Sequence, residues 1–299
     1  MLAHDELELI QAWGVWETEY REFGRTKVKV SLIGMGTYYD VSWIMKSRLL
    51  SRRAGKEEKI AALKRGIELG INLIDTAEMY DTEPLVAEAI RGHERDALFI
   101  ATKVWSTHLR YNQVLKAAQR SLAKLQCDYI DLYQIHWPNP LVPIKETMRA
   151  MEKLVDDGKV RYIGISNFSL SQTKEAEEAL SKHELASNQV QYNLKARKIE
   201  TDLLPYCERN NIAIMAYRPV AHGALANPSG KLREILDEIS QRHGGKTPAQ
   251  IALNWLVNKS KIVFPIPRAS RPERIMENVG AVGWNLDADD LVKLDQEDA

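Results

Sequence analysis

Four ionisable residues of the 299-residue chain fall where a proton could be moved onto a substrate oxygen: Asp75, Tyr80, Lys103 and His136. Asp75 closes the apolar run INLID, Lys103 closes LFIATK, His136 closes the run that begins at Tyr129, and Tyr80 follows shortly after Asp75. An apolar strand needs no ionisable residue at its end, and a buried Asp or Lys is costly unless it finds a partner. Each residue taken singly is more simply read as half of a structural ion pair, whereas four on one rim favour chemistry. A tyrosine with the ordinary pKa of about 10 is a poor acid near neutrality unless a cation stabilises its phenolate. Lys103 can supply that cation, Asp75 can hold the lysine, and His136 can hydrogen-bond a substrate oxygen as charge develops on it. The set suits proton donation to a carbonyl and requires no metal.

Such convergence needs elements that end together. From Val28 onward, short β-branched runs alternate with amphipathic stretches at helical spacing, the pattern of repeated βα units around a parallel sheet. Eight strands are predicted: Val28–Gly36, Ile71–Ala77, Leu98–Val104, Tyr129–His136, Arg161–Asn167, Asn188–Asn193, Ala213–Tyr217 and Ile262–Pro267. A helix is predicted over Lys56–Gly70, where Ile60, Leu63 and Ile67 form an apolar stripe and Gly70 is a C-terminal stop. Thr247-Pro248 reads as an N-cap followed by proline in the first turn, two helices fall between Lys231 and Lys259, and another covers Asp287–Gln296. The expected fold is α/β, one (β/α)₈ barrel over residues 1–299 with residues 1–20 as an N-terminal extension, extra helices outside the barrel and a short C-terminal tail. In such barrels the reactive groups come from the C-terminal ends of the strands, where these four lie.

The composition, 44% hydrophobic and 27% charged with 41 basic against 41 acidic residues, is that of a soluble globular protein. It points to neither nucleic acid nor a membrane surface as partner. Asp5, Glu6 and Glu8 stand where a signal peptide would need a basic end, so a cytoplasmic location is expected. Cys127 and Cys207 form no CxxC pair and stand in no Cys and His cluster at metal-ligand spacing, which argues against a disulfide framework or a zinc site.

At these residues the sequence resembles the aldo-keto reductase family, through IDTAEMY at 74–80, TKV at 102–104, IHWP at 135–138 and GISNFS at 164–169. The similarity runs from about Arg21 to Asp295. The resemblance implies a catalytic tetrad of Asp75, Tyr80, Lys103 and His136, and a nicotinamide cofactor held on the barrel rim. Its carboxamide contacts match Ser166, Asn167 and Gln189, and Tyr217 matches the aromatic that stacks on the ring; Ser, Asn and Gln supply the donors and acceptors an amide needs. The adenosine end matches Arg268, Ser270, Arg274, Glu277 and Asn278, with Arg in place of the family's Lys and Ala269 in place of its Ser. Two guanidinium groups near a helix start suit a 2′-phosphate, so NADPH is the cofactor implied. GMG at 34–36 lacks the third glycine of a dinucleotide-binding loop and resembles the family's first-strand GxGT motif, its small residues letting backbone approach a ligand.

The first βα connection, Tyr38 to Gly55, is enlarged and basic, and with the start of the helix after it carries Arg48, Arg52, Arg53, Lys56 and Lys59; this 48–59 stretch reads as a solvated run, with binding of anionic substrates as the alternative. The chain stops at Ala299, so an open pocket is expected. Its wall is predicted to include Tyr38, Trp105, His136 and Trp137, with Tyr39 and His108 as weaker candidates. The expected activity is reduction of small carbonyls, such as glyceraldehyde, aldoses and aromatic aldehydes, with Tyr80 as general acid. Two rivals stand beside it: a nicotinamide-binding regulatory or structural protein, and a barrel lyase using Lys103 as a Schiff base. Nothing in the sequence fixes the physiological substrate, the direction or the oligomeric state.

Overall fold

The computed structural model describes residues 18–50, 55–268 and 270–297. Asp5, Glu6, Glu8, Arg52, Arg53, Ala269 and Ala299 lie outside the described residues. The chain enters through an antiparallel hairpin of β1 (Tyr20–Glu22) and β2 (Lys29–Ser31). Eight parallel strands follow: β3 (Met35–Gly36), β4 (Leu73–Asp75), β5 (Phe99–Val104), β6 (Ile130–Ile135), β7 (Val160–Ser166), β8 (Leu185–Gln191), β9 (Ala213–Tyr217) and β10 (Val263–Pro265), each paired with the next in sequence order.

First and last strands meet to close the sheet. Gly34 donates its N–H to the Pro265 carbonyl and Gly36 to that of Pro267, both at 2.9 Å. A Cβ on Gly36 would stand 2.8 Å from the Ile266 carbonyl oxygen, and one on Gly34 would stand 2.9 Å from Ile266 Cγ2. The close backbone approach expected at GMG is therefore first of all an approach of the last strand to the first.

The expected first strand, Val28–Gly36, is split by this geometry. Its first half turns back on β1, and the backbone N–H of Ser31 is taken by Asn72 Oδ1 at 2.7 Å. The hairpin between them seats Phe23, fully buried, with its ring 5.0 Å from those of Phe99 and Phe264 at the floor of the barrel. Above it the interior is filled by inward side chains of the strands, including Leu73 of β4, Ala101 of β5, Leu132 of β6 and Ala213 and Met215 of β9. The other predicted strands keep their places with ends shifted by a few residues, as strand termini fray.

The helices are α1 (Val41–Leu50), α2 (Lys56–Glu68), α3 (Glu83–Ile90), α4 (Tyr111–Leu125), α5 (Ile144–Asp156), α6 (Leu170–Glu178), α7 (Leu203–Arg209), α8 (Gly230–Arg242), α9 (Pro248–Lys259), α10 (Pro272–Val279) and α11 (Ala288–Gln296). Helix α2 stops at Gly70, which adopts φ +90° and donates to the Ile67 carbonyl at 2.9 Å. Helix α9 begins with a capping box in which Thr247 Oγ1 and Gln250 Oε1 each accept the other's backbone N–H. The connection read as a basic loop contains α1, whose first turn is capped by Asp40 Oδ1 accepting from the Trp43 N–H at 2.7 Å. Trp43, Ile44 and Ser47 face inward from it. No helix among the described residues is long and apolar enough to cross a membrane.

Candidate active site

The C-terminal ends of the barrel strands open on a cavity of about 570 Å³. Every residue singled out from the sequence for catalysis, cofactor or substrate wall lines it, with two exceptions. Lys103 lies buried beneath it, and His108 turns away with Nδ1 at 3.0 Å from Glu78 Oε1. Tyr39 joins the wall.

Adjacent strands carry the buried pair at the centre. Ala101 stands opposite Asp75 in register, so Lys103, two residues on and on the same face, reaches over it. Its ammonium donates to Asp75 Oδ1 and Oδ2 at 2.8 and 2.7 Å and to the Thr76 carbonyl at 2.8 Å. Gln189 Nε2 adds a further donor to Asp75 Oδ1 at 2.8 Å. Burial lowers the Lys103 pKa, and the attraction of Asp75 opposes that shift. With three acceptors around it and no opening to the cavity, Lys103 presents no amine lone pair to a carbonyl, which removes the geometric support for a Schiff base.

Tyr80 sits in the 3₁₀ turn Glu78–Tyr80 just beyond β4. Its hydroxyl lies 3.3 Å from His136 Nε2, and the Lys103 ammonium lies 4.9 Å from its ring centroid. Lys103 is the cation expected from the sequence to stabilise the tyrosine's phenolate. Here the lysine protons are spent on Asp75 and Thr76, and burial, followed by the Asp75 carboxylate, holds the Tyr80 pKa well above the ordinary tyrosine value. The phenol therefore keeps its proton at neutrality. His136 is pushed down to about 2 by burial and by the Lys103 charge, so its ring is neutral. Its Nδ1 is buried without a partner, and Nε2 faces the phenol. The rings of Tyr38 and Trp105 stand edge-on to Tyr80 and His136 at 5.2 Å each.

Beside this group, Asn167 adopts φ +63° and is held by every polar atom of its side chain. Its Nδ2 donates to the His136 carbonyl and to Ser166 Oγ at 3.0 Å, and its Oδ1 accepts from the Tyr217 hydroxyl at 2.9 Å. Ser166 Oγ in turn donates to the Gln189 carbonyl at 2.9 Å. At the far end Arg274 pairs with Glu277 at 2.5 Å, Arg268 donates to the Tyr39 carbonyl at 2.8 Å, and Glu277 also accepts from Thr247 at 2.9 Å.

Two groups of residues went unread in the sequence. The turn after β9 contributes Arg218, Pro219, Val220, His222 and Gly223 to the wall, and its place at a strand's C-terminal end was the available signal. Glu78 is the other. Buried in the turn that carries Tyr80, its carboxylate accepts from the Trp105 N–H and from Arg120 Nη2, both at 2.9 Å. Burial alone would raise its pKa, but these donors hold it below the usual carboxylate value.

A closed eight-stranded parallel barrel with a buried Lys–Asp pair, a protonated phenol and a neutral imidazole on its C-terminal rim belongs among the TIM-barrel enzymes. Residues 33–299 match the model of the aldo/keto reductase family, and the chain belongs to that family. It is 35% identical over 274 residues to methylglyoxal reductase YeaE of Escherichia coli, covering 90% of this chain and 91% of that one. It is 36% identical over 240 residues to glyoxal reductase of Bacillus subtilis, covering 80% and 83%. Among solved structures, a thermostable aldo-keto reductase in complex with the inhibitor epalrestat superposes with a TM-score of 0.83 at 38% identity, covering 93% of this chain and 98% of that one. An aldo/keto reductase from Klebsiella pneumoniae, solved with NADP and acetate, gives a TM-score of 0.80 at 35% identity over 93% and 95%.

Proposed function

We propose that the protein reduces small aldehydes and ketones to alcohols with NADPH, and that Tyr80 is the proton donor. The observation that carries this reading is the meeting of a protonated, buried Tyr80 hydroxyl with neutral His136 at 3.3 Å in one cavity that continues to Arg274. The residues present fit the cofactor. Ser166, Asn167 and Gln189 offer amide-compatible partners beside the face of Tyr217, and Arg268 and Arg274 offer guanidinium groups for a phosphate at the other end. When bound, NADPH supplies the hydride.

The protein's own residues account for the proton. A substrate oxygen reaching the Tyr80 hydroxyl and His136 Nε2 accepts a hydrogen bond from each, with the imidazole in its Nε2–H tautomer. As charge grows on that oxygen, Tyr80 releases its proton to it. The phenolate left behind has the Lys103 ammonium 4.9 Å from its ring centroid, a charge that offsets only part of the cost imposed by burial and Asp75. Asp75 keeps that ammonium in place. His136, neutral at working pH, orients the oxygen and does not compete as the acid.

The aromatic wall and the cavity volume of about 570 Å³ support small carbonyls as substrates. Glyceraldehyde, short aldoses, aromatic aldehydes and the 2-oxoaldehydes named for the relatives above fall in that class. The test is NADPH oxidation across such a panel, with a steroid ketone as the bulky comparison. Tyr80→Phe is expected to lower kcat by about 10²- to 10⁴-fold while NADP⁺ affinity, read by fluorescence titration, stays within a few-fold. Turnover retained in that variant would refute the role given to Tyr80.

A further inference from the structure

We propose that Thr82 is a positioning residue for the proton donor, closing the base of the loop that presents Tyr80 through a chain of three buried hydroxyls. The inference rests on the reading of the cavity as a carbonyl reductase site with Tyr80 as the acid. Thr37 follows β3, Thr76 follows β4 and Thr82 precedes α3, and all three are fully buried. Thr76 Oγ1 and Thr37 Oγ1 each lie 2.8 Å from Thr82 Oγ1, and Thr37 Oγ1 lies 3.0 Å from the Asp75 carbonyl oxygen.

Counting hydrogens gives the chain its direction. A hydroxyl carries one proton to donate and two lone pairs to accept with. The Asp75 carbonyl can only accept, so Thr37 donates its proton there. Thr82 must then donate to Thr37, and Thr76 to Thr82. With every proton placed the chain has a single arrangement, and each bond polarises the next.

This chain sits at the neck of the loop. Thr76 and Thr82 are the two ends of the segment that carries Tyr80, and the bond between their hydroxyls holds those ends together. Between them Tyr80 stands in the 3₁₀ turn Glu78–Tyr80, followed by Asp81 at φ +58°. A side-chain-bearing residue keeps that left-handed conformation only where its surroundings impose it. The same neck carries the lysine. The Thr76 carbonyl accepts from the Lys103 ammonium at 2.8 Å, and the Thr76 N–H donates to the Ala101 carbonyl at 2.8 Å. The Thr82 carbonyl accepts from the Leu85 and Val86 N–H groups that start α3. The hydroxyl of Thr82 thus joins the turn that presents the phenol to the peptide that holds the lysine, and the 4.9 Å between ammonium and ring is set at this joint.

The experiment uses the full-length protein with Thr82→Val, which keeps the side-chain shape without the hydroxyl, and Thr82→Ser, which keeps the hydroxyl. NADPH oxidation with 4-nitrobenzaldehyde is followed in H₂O and D₂O, NADP⁺ affinity by fluorescence titration, and amide exchange of residues 77–81 by mass spectrometry. Thr82→Val is expected to lower kcat by about 10-fold with KM and NADP⁺ affinity within about twofold, since a small displacement of a catalytic group is costly in rate. The solvent isotope effect on kcat rises with it, because proton transfer from a misplaced phenol limits turnover more. Amides of the loop exchange about 10-fold faster, and Thr82→Ser returns every reading to within about twofold of wild type. Thr37→Val keeps the bond between Thr76 and Thr82 and removes its anchor beside β3, so it is expected to show the same pattern at about threefold, and it carries the test should Thr82→Val not fold. Wild-type kcat, isotope effect and exchange in the valine variants would overturn the proposal, and so would a loss of kcat that serine does not recover. A wild-type protein that reduces no aldehyde would refute the reductase reading instead; amide exchange then judges the neck alone, and an unchanged rate in Thr82→Val rejects it.

Discussion

An imidazole buried next to the Lys103 ammonium resists protonation for two reasons that add, lost hydration and like-charge repulsion. His136 is therefore neutral in the folded protein down to about pH 2, whereas an unfolded histidine takes up a proton near 6.5. Below pH 6.5 the unfolded state binds the extra proton, so this site removes stability as pH falls. By pH 4.5 the loss is about 3 kcal/mol, two pH units at roughly 1.4 kcal/mol each. His136→Asn, which cannot titrate, is expected to lose about 2 to 3 kcal/mol less than wild type between pH 7.5 and 4.5 in urea denaturation. Equal losses would show that His136 takes up its proton while folded. Arg274 makes a second case at this scale. It is the partner of Glu277, so Arg274→Ala would remove the proposed phosphate donor and also bare a carboxylate at the same place. NADP⁺ binding is expected to weaken by about 2 to 3 kcal/mol while NAD⁺ binding hardly changes, and titration of both dinucleotides checks it.

The turn that carries Tyr80 is gripped from several elements at once. Arg48 of α1 donates to the Glu78 carbonyl, Ser47 of the same helix hydrogen-bonds the Asp81 carboxylate, and Trp105 and Arg120 hold the Glu78 side chain. On the proposal that Tyr80 is the proton donor, helix α1 would act as its brace and Arg48 as a positioning residue. Arg48→Ala is expected to reduce kcat by about 10-fold with NADP⁺ affinity unchanged, since a small misplacement of a catalytic group is expensive in rate. Partial recovery in Arg48→Lys separates positioning from loss of fold, and an unchanged kcat would dismiss the brace. The grip shows where sequence reading stops. Asp40 capping Trp43 is a local signal, and α1 was there to be found from it. The bond from Arg48 to Glu78 joins residues 30 apart through a carbonyl, and no residue type announces such a bond. For the same reason Arg48 read as part of a solvated basic run. The split of the first strand was hidden likewise, because the run from Val28 to Gly36 carries no proline or other local turn signal before Gly34 and its turn depends on Asn72, 41 residues downstream of Ser31.

At the scale of the whole molecule, the barrel was legible because eight βα repeats leave a periodic record, and the site because its strands end on polar residues that an apolar strand has no use for. The hydroxyl chain at the neck of the Tyr80 loop was not, since which threonines meet depends on how the closed barrel brings Thr37, Thr76 and Thr82 together. Closure itself rests on a narrow seam. Strand β3 contributes two residues to the sheet, and Gly34 and Gly36 bond across to Pro265 and Pro267. Gly36 is the tighter point, because an added Cβ would meet a backbone oxygen, Ile266 O, at 2.8 Å, and the oxygen of Pro267 at 3.4 Å. A flexible side chain could swing away from such a contact, but a strand carbonyl in a closed barrel can retreat only by moving the strand. Gly36→Ala is therefore expected to cost about 1 to 3 kcal/mol, read as a lower urea midpoint with an unchanged slope. The same displacement would move Arg268, which bridges to Gly36 across the seam, so NADP⁺ affinity should fall together with stability. A variant with the wild-type midpoint would mean that the barrel absorbs the methyl group elsewhere along its circumference and that the seam does not limit its stability.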